Sequence, residues 1–282
     1  MKNYLNLVTF SHTIFAMPFA LVGGSLGFKE KNFFELKILL LIIGCMITAR
    51  NAAMAFNRYI DRFFDEKNDR TKIREIPSGL ISPKNALIFV IFNSLTFIIF
   101  TYFINDLCFY LSPVALLVIL GYSYTKRFTP LCHLILGIGL GLAPVGAYLA
   151  VTNYFSFPII ILGFSVVFWV GGFDIIYALQ DTEFDRIHGL WSIPSWLGKN
   201  LALKLSIFLH VISASLIIIF GYLINAGLFF YFASILFIVL LIYQHTLVKP
   251  NDLSKINLAF FTTNGLGSLI FGALTILDIL LK

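Results

Sequence analysis

Residues 38–65 read Ile38-Leu39-Leu40-Leu41-Ile42-Ile43-Gly44-Cys45-Met46-Ile47-Thr48-Ala49-Arg50-Asn51-Ala52-Ala53-Met54-Ala55-Phe56-Asn57-Arg58-Tyr59-Ile60-Asp61-Arg62-Phe63-Phe64-Asp65. An uncharged run leads into Arg50, and polar residues then recur at a fixed interval. Arg50, Asn57, Asp61 and Asp65 are spaced seven, four and four, which on an α-helix places all four on one face. The run from Ile38 to about Phe64 is long enough to cross a hydrocarbon core as a helix. The polar stripe therefore starts inside a membrane span and emerges at one of its ends.

Composition agrees on the solvent. Of 282 residues 59% are hydrophobic and only 12% charged, about half the charge a soluble domain carries. Mean hydropathy is +0.91. Windows free of Asp, Glu, Lys and Arg cover 3–28, 85–105, 107–125 and 256–277, one span each. Longer windows at 128–173 and 205–248 hold two spans apiece, broken at 152–158 and around 221–227, where turn-forming residues gather. With the run quoted above, the expectation is an all-α membrane protein of about nine transmembrane helices, forming a single polytopic domain over residues 1–282.

The net charge of +6 belongs to loops between spans, a membrane pattern rather than a nucleic-acid one. With the N-terminus cytoplasmic, Lys2, the basic residues from Arg58 to Lys84, Lys126, Arg127, Arg186, Lys199, Lys204, Lys249 and Lys255 share one side. Lys29, Lys31, Lys37 and Lys282 fall on the other. The positive-inside rule then puts the loops at about 66–83, 122–130 and 182–200 in the cytoplasm. The first apolar run is too long for the usual signal h-region and no Ala-x-Ala site follows it, so it reads as a span. Cys45, Cys108 and Cys132 have no paired spacing, and His12, His133, His188, His210 and His245 are scattered; neither set predicts a disulfide framework or a metal site.

Charges inside a span mark function by default. A second stripe runs through Asp174, Asp181 and Asp185, again spaced seven and four. Hard divalent cations such as Mg²⁺ are held by one or two carboxylates plus water and phosphate oxygens. Two facing Asp pairs can hold two ions around one diphosphate. The competing reading is that these are solvated helix-end carboxylates paired with Arg58, Arg62 and Arg186. The repetition of the pattern on two helices, each with an ionisable residue deeper in, favours the first. Each stripe is also followed by Ile-Pro-Ser, at 76–78 and 193–195, which points to an internal duplication of helical units.

Asn57-Arg58-Tyr59-Ile60-Asp61-Arg62-Phe63-Phe64-Asp65 and Tyr177-Ala178-Leu179-Gln180-Asp181-Thr182-Glu183-Phe184-Asp185 resemble the two aspartate-rich motifs of the UbiA superfamily of intramembrane prenyltransferases. The resemblance extends to Arg70-Thr71 through Pro77-Ser78-Gly79, to 121–129 and to 11–20. The Met54-Ala55-Phe56-Asn57-Arg58 form is nearest the 4-hydroxybenzoate polyprenyltransferase branch.

That resemblance implies a UbiA-type helical bundle and Mg²⁺-dependent transfer of a polyprenyl group from its diphosphate to the ring of an aromatic acid. The acid would be 4-hydroxybenzoate, in quinone biosynthesis at a bacterial inner membrane. By the same resemblance Asp61, Asp65, Asp181 and Asp185, with Asn57, hold the metal and are catalytic, while Arg70, Arg74, Lys126 and Arg127 bind diphosphate. Arg50 takes the acceptor's carboxylate, with Asp174 as its internal partner on the competing reading, and Tyr122 and Asp174 complete the acceptor site. Membrane lipid surrounds the protein, and neither nucleic acid nor a protein partner is implied.

Alternatives within the family are a menaquinone-pathway enzyme with a naphthoate or futalosine-type acceptor, or a haem O synthase, whose porphyrin would leave Arg50 unexplained. Outside it stands a membrane transporter, whose coupling residues belong near midplane rather than at one mouth. Gly23-x-x-x-Gly27 and Gly137-x-x-x-Gly141 predict close helix packing.

Overall fold

A computed structural model of the chain describes residues 2–8 and 15–282. Of the 11–20 segment, Ser11, His12, Thr13 and Ile14 lie outside the described residues. The described chain is helical apart from one isolated bridge between Lys249 and Asp252. In order the helices are α1 (Lys2–Leu7), α2 (Met17–Lys31), α3 (Leu36–Lys67), α4 (Pro83–Ile104), α5 (Asp106–Thr125), α6 (Cys132–Thr152), α7 (Phe157–Ala178), α8 (Thr182–Ile187), α9 (Ile193–Leu197), α10 (Lys199–Leu223), α11 (Leu228–Leu247) and α12 (Thr263–Leu281). A 3₁₀ turn, Leu179–Asp181, joins α7 to α8, and a π-helical turn, Leu258–Thr262, leads into α12.

Among the described residues eight helical segments are long and apolar enough to cross a membrane, and they match the second to ninth expected spans one for one. The first expected span contains α2, whose 15 residues fall short of a full crossing. Asparagines make four of the breaks between helices. Asn153 and Asn225, at the two expected interruptions, and Asn32 after α2 adopt left-handed backbone with φ of 63°, 52° and 54°, which Asn tolerates better than most residues. Asn105 separates α4 from α5: its Oδ1 caps α5 by accepting from Cys108 N at 2.8 Å, and its amide donates to Leu149 O at 2.9 Å.

The segment containing α7 lies at the centre. Of its most apolar window 72% is buried, against 17–50% for the other seven spans. Helices α6 and α10 pack on either side of it, α2 packs on α6, α3 on α4, and α11 on α12. Both glycine pairs act as close-approach surfaces. A Cβ on Gly141 would lie 2.7 Å from the Gly163 carbonyl oxygen, and one on Gly27 would lie 2.9 Å from Val151 Cβ. One on Gly23 would overlap the backbone carbonyl of Pro144. Gly23→Val is therefore expected to destabilise the α2–α6 contact by roughly 1–3 kcal/mol, the cost of overpacking, read as earlier loss of the monodisperse size-exclusion peak on heating in detergent.

Candidate active site

The stripes on α3 and on the α7–α8 segment reach the same end of the bundle, where loops close over them with four cations. Arg127 Nη2 donates to Asp61 Oδ1 at 3.0 Å and Arg74 Nη1 to Asp65 Oδ1 at 2.6 Å. On the other stripe Arg70 holds Asp181 through two bonds, Nη2 to Oδ2 at 2.5 Å and Nε to Oδ1 at 3.2 Å. Lys126 Nζ lies 2.7 Å from Asp185 Oδ1. Arg70 and Arg74 come from the loop after α3, Lys126 and Arg127 from the end of α5. Arg70 thus ties the first motif's loop to the second motif's helix. Burial disfavours the charged form of Lys126, but Asp185 beside it outweighs this and raises its pKa above the ordinary lysine value. Arg70 is likewise raised, desolvation being overcome by Asp181.

Further hydrogen bonds set the carboxylates. Asn57 Nδ2 donates to Asp61 Oδ2 at 3.0 Å, one helical turn away, and Asn68 Nδ2 to Asp181 Oδ1 at 3.1 Å. Ser192 Oγ donates to Asp185 Oδ2 at 2.8 Å from the loop before α9. Side-chain exposure then separates the four: Asp65 and Asp185 are 7% and 0% exposed, Asp61 and Asp181 24% and 12%. Asp61 and Asp181 face the mouth, while the other two anchor the loops behind it.

Arg50 sits seven residues before Asn57, about 10 Å deeper along α3 at 1.5 Å per residue. It lines a cavity of about 320 Å³ between α3, α4, α5 and α6, whose wall includes Ala53, Tyr122, Cys45, Gly146 and, at the far end, Phe155. Among the described residues no carboxylate pairs with Arg50, and its Nε is buried without a hydrogen-bond partner. Tyr122 interacts electrostatically with Arg50, Asp61 and Asp174, so these four share one region between the cavity and the mouth.

The model of the UbiA prenyltransferase family matches residues 16–266. The chain belongs to that family. It is 29% identical over 237 residues to a protein of Tolumonas auensis named 4-hydroxybenzoate octaprenyltransferase, covering 84% of this chain and 82% of the relative. A UbiA homologue from Aeropyrum pernix K1, solved in its apo form, superimposes with a TM-score of 0.86 at 32% identity, covering 95% of this chain and 98% of the other. A UbiA homologue from Archaeoglobus fulgidus bound to DMAPP and Mg²⁺ shares the fold, with a TM-score of 0.76 at 22% identity over 99% of this chain and all of the other. The protein is therefore a prenyltransferase of the UbiA fold.

Within this UbiA-family site, the residues singled out from sequence divide cleanly. Asn57, Asp61, Asp65, Asp181, Asp185, Arg70, Arg74, Lys126 and Arg127 form one interlocked cluster, with Arg50, Tyr122 and Asp174 deeper. The reading that pairs the motif aspartates with helix-end arginines fails for two of the three named: Arg62 stacks over the Tyr59 and Phe63 rings, and Arg186 meets Glu183 and the Ser195 carbonyl. The competing reading that pairs Asp174 with Arg50 also fails. Asp174 Oδ2 lies 2.7 Å from His133 Nδ1, so it has its own partner.

Sequence reasoning missed Asn68, His133 and Ser192: Asn68 and Ser192 had only a loop context and His133 no ligand spacing. Tyr177, one aromatic among 46, accepts from Arg70 Nη1 at 3.3 Å and stacks on Phe260 at 4.1 Å. The Ile-Pro-Ser echo does not produce equal local structure: Ile76 lies in a turn and Ile193 starts α9, although both side chains are buried.

The donor set suits a hard cation. Carboxylate and carboxamide oxygens are what Mg²⁺ takes, and Asp65 Oδ2 is buried with no hydrogen-bond partner. Among the described residues no three Asp, Glu, His or Cys side chains converge on one point. A cation at this site would complete its shell with water and substrate oxygens, the usual habit of Mg²⁺.

Proposed function

We propose that this UbiA-family enzyme acts as one polytopic domain over residues 1–282 and transfers a polyprenyl group from polyprenyl diphosphate to the ring of 4-hydroxybenzoate. The reaction belongs to quinone biosynthesis, with the mouth on the cytoplasmic face of a bacterial inner membrane. The observation that carries the acceptor is Arg50, a guanidinium that among the described residues has no acidic partner and lines an apolar cavity. A buried cation of this kind calls for an anion, and a planar aromatic carboxylate fits its fork. The name of the Tolumonas relative supports the same acceptor, and the ligands of the Archaeoglobus homologue support a prenyl diphosphate with Mg²⁺.

In this reading Asn57, Asp61, Asp65, Asp181 and Asp185 hold Mg²⁺, which when bound neutralises the diphosphate and makes it a better leaving group. Arg70, Arg74, Lys126 and Arg127 exchange part of their carboxylate contacts for diphosphate oxygens, the arginines as planar forks and Lys126 as a point charge. The C–O bond breaks with its electron pair on the diphosphate, and the ring attacks the allylic cation ortho to its hydroxyl. Apolar walls exclude the water that would quench that cation. Positive-inside bias supports the cytoplasmic mouth.

The prenyl tail runs into the cavity past Gly146, where a Cβ would meet nothing within 4 Å. Gly146→Phe puts a ring at that position of the cavity wall. It is expected to shift donor preference towards shorter prenyl diphosphates by at least about tenfold in kcat/KM, a loss of roughly 1.4 kcal/mol for the long chain, checked with a donor series. The decisive assay for the whole reading is incubation of membranes containing the protein with labelled polyprenyl diphosphate and 4-hydroxybenzoate, with Mg²⁺ or with EDTA. Mg²⁺-dependent prenylated 4-hydroxybenzoate is expected. Product only from a naphthoate or futalosine-type acid would move the protein to menaquinone synthesis.

A further inference from the structure

The proposed transfer leaves a ring proton to be removed, and among the described residues one carboxylate in the region, Asp174, has no lysine or arginine beside it. Asp174 lies on the face of α7 that continues through Tyr177 and Ala178 towards Asp181, at intervals of three and four residues, and Asp174, Tyr177 and Ala178 keep partial exposure while Phe173, Ile175, Ile176 and Leu179 are buried. It is seven residues from Asp181, about 10 Å deeper, and it interacts electrostatically with Tyr122, as Arg50 does.

The partner of Asp174 is a histidine whose tautomer is set by a third group. Ile193 N, at the start of α9, donates to His133 Nε2 at 3.2 Å, so Nε2 must present its lone pair. The ring is then neutral with its hydrogen on Nδ1, which donates to Asp174 Oδ2 at 2.7 Å. His133 is buried, 3% exposed in its side chain, whereas the side chain of Asp174 is 25% exposed. Oδ1 of Asp174 accepts no hydrogen bond among the described residues. Each motif aspartate, by contrast, is matched to Arg70, Arg74, Lys126 or Arg127. Asp174 is thus a carboxylate oriented by a neutral donor on one oxygen, with lone pairs on the other open towards the region of Arg50 and Tyr122.

We propose that Asp174 is the proton acceptor of the transfer, with His133 and the Ile193 N–H as the group that positions it. The assignment rests on the prenyl-transfer reading above. As the ring carbon bonds to C1 of the prenyl group, that carbon's hydrogen leaves as a proton to Asp174 Oδ1, and the C–H electron pair restores the aromatic ring. The electron pair of the broken C–O bond has already left with the diphosphate. His133 touches no reacting atom and is a positioning residue. It also ties the deep base to the mouth, because Ser192, next to Ile193, holds Asp185.

The test compares Asp174→Asn, Asp174→Glu, His133→Asn and His133→Leu with the unaltered protein, using 4-hydroxybenzoate carrying hydrogen or deuterium at the ring positions ortho to the hydroxyl. Asp174→Asn is expected to lower kcat by at least about 100-fold, the usual range for a lost general base, with an isotope effect larger than in the unaltered protein because deprotonation becomes limiting. His133→Asn keeps an N–H near Asp174 Oδ2 and should retain more turnover than His133→Leu, with the isotope effect largest in the latter. Asp174→Asn turnover within about threefold of the unaltered protein, or a slow variant with no added isotope effect, overturns the proposal. Should Asp174→Asn fail to fold, as judged by size exclusion and prenyl diphosphate binding, the isotope effect in Asp174→Glu decides alone. The unaltered protein run alongside separates the two readings: no product from it with any aromatic acid removes the transfer reading itself, whereas normal product from both it and Asp174→Asn removes only the base.

Discussion

Asp181→Ala is expected to abolish prenyl transfer while leaving a folded protein in the membrane. Asp181 is one of the two motif aspartates that face the mouth, and three donors from the loop after α3 aim at it: Arg70 Nη2, Arg70 Nε and Asn68 Nδ2. Its removal deletes a carboxylate from the proposed metal site and frees Arg70 to move out of line with the diphosphate. A metal ion contributes several kcal/mol of charge stabilisation, so the loss should reach at least about a thousandfold in kcat. Folding is spared because Arg70 is 32% exposed and can turn to water. Asp185 would be a poorer test: at 0% exposure it receives Lys126 and Ser192, and its loss would leave the buried Ser192 hydroxyl without its acceptor. Asp181→Asn, which keeps the shape and removes the charge, should lose as much as alanine. Asp61→Ala is expected to match it from the other stripe. Asp252→Asn, in the exposed loop between α11 and α12, should do nothing. Unaltered turnover in either the Asp61 or the Asp181 variant would remove the two-site arrangement of carboxylates from the mechanism.

The parts of this molecule that were legible in sequence are those fixed by local period or by solvent. Span positions follow from uncharged windows because a bilayer tolerates few charges, and the breaks at Asn153 and Asn225 follow from the rarity of left-handed backbone elsewhere. The two stripes are legible because spacings of seven and four keep residues on one helical face whatever the helix packs against. Which cation meets which aspartate is another matter. Arg70 crosses from the loop after α3 to Asp181, 111 residues away, and Lys126 crosses to Asp185, contacts set by how the helices assemble. His133 was illegible for the same reason: its partners, Asp174 and Ile193 N, lie 41 and 60 residues off with no motif to link them. The sequence argument for an Arg50–Asp174 pair used depth, a one-dimensional measure, and depth does not say which way two side chains point.

That Arg50 has no acidic partner among the described residues makes its replacement the second large effect. Arg50→Ala should raise the KM for 4-hydroxybenzoate by about 10- to 100-fold, the equivalent of losing roughly 1.5–3 kcal/mol from a hydrogen bond to a charged group. The KM for prenyl diphosphate should stay within about twofold, because Arg50 lies about 10 Å below the carboxylate cluster, measured along α3. Arg50→Lys should fall between, since a lysine keeps the charge but not the planar fork that meets both carboxylate oxygens. A stricter reading comes from changing the acceptor as well. The unaltered protein should prefer 4-hydroxybenzoate to its carboxamide analogue, and in Arg50→Ala that preference should collapse, because the cation that distinguishes the two is gone. Equal rises in both KM values, with the acid-to-amide preference intact, would make Arg50 a structural residue of the α3–α5 contact and move acceptor recognition elsewhere in the cavity.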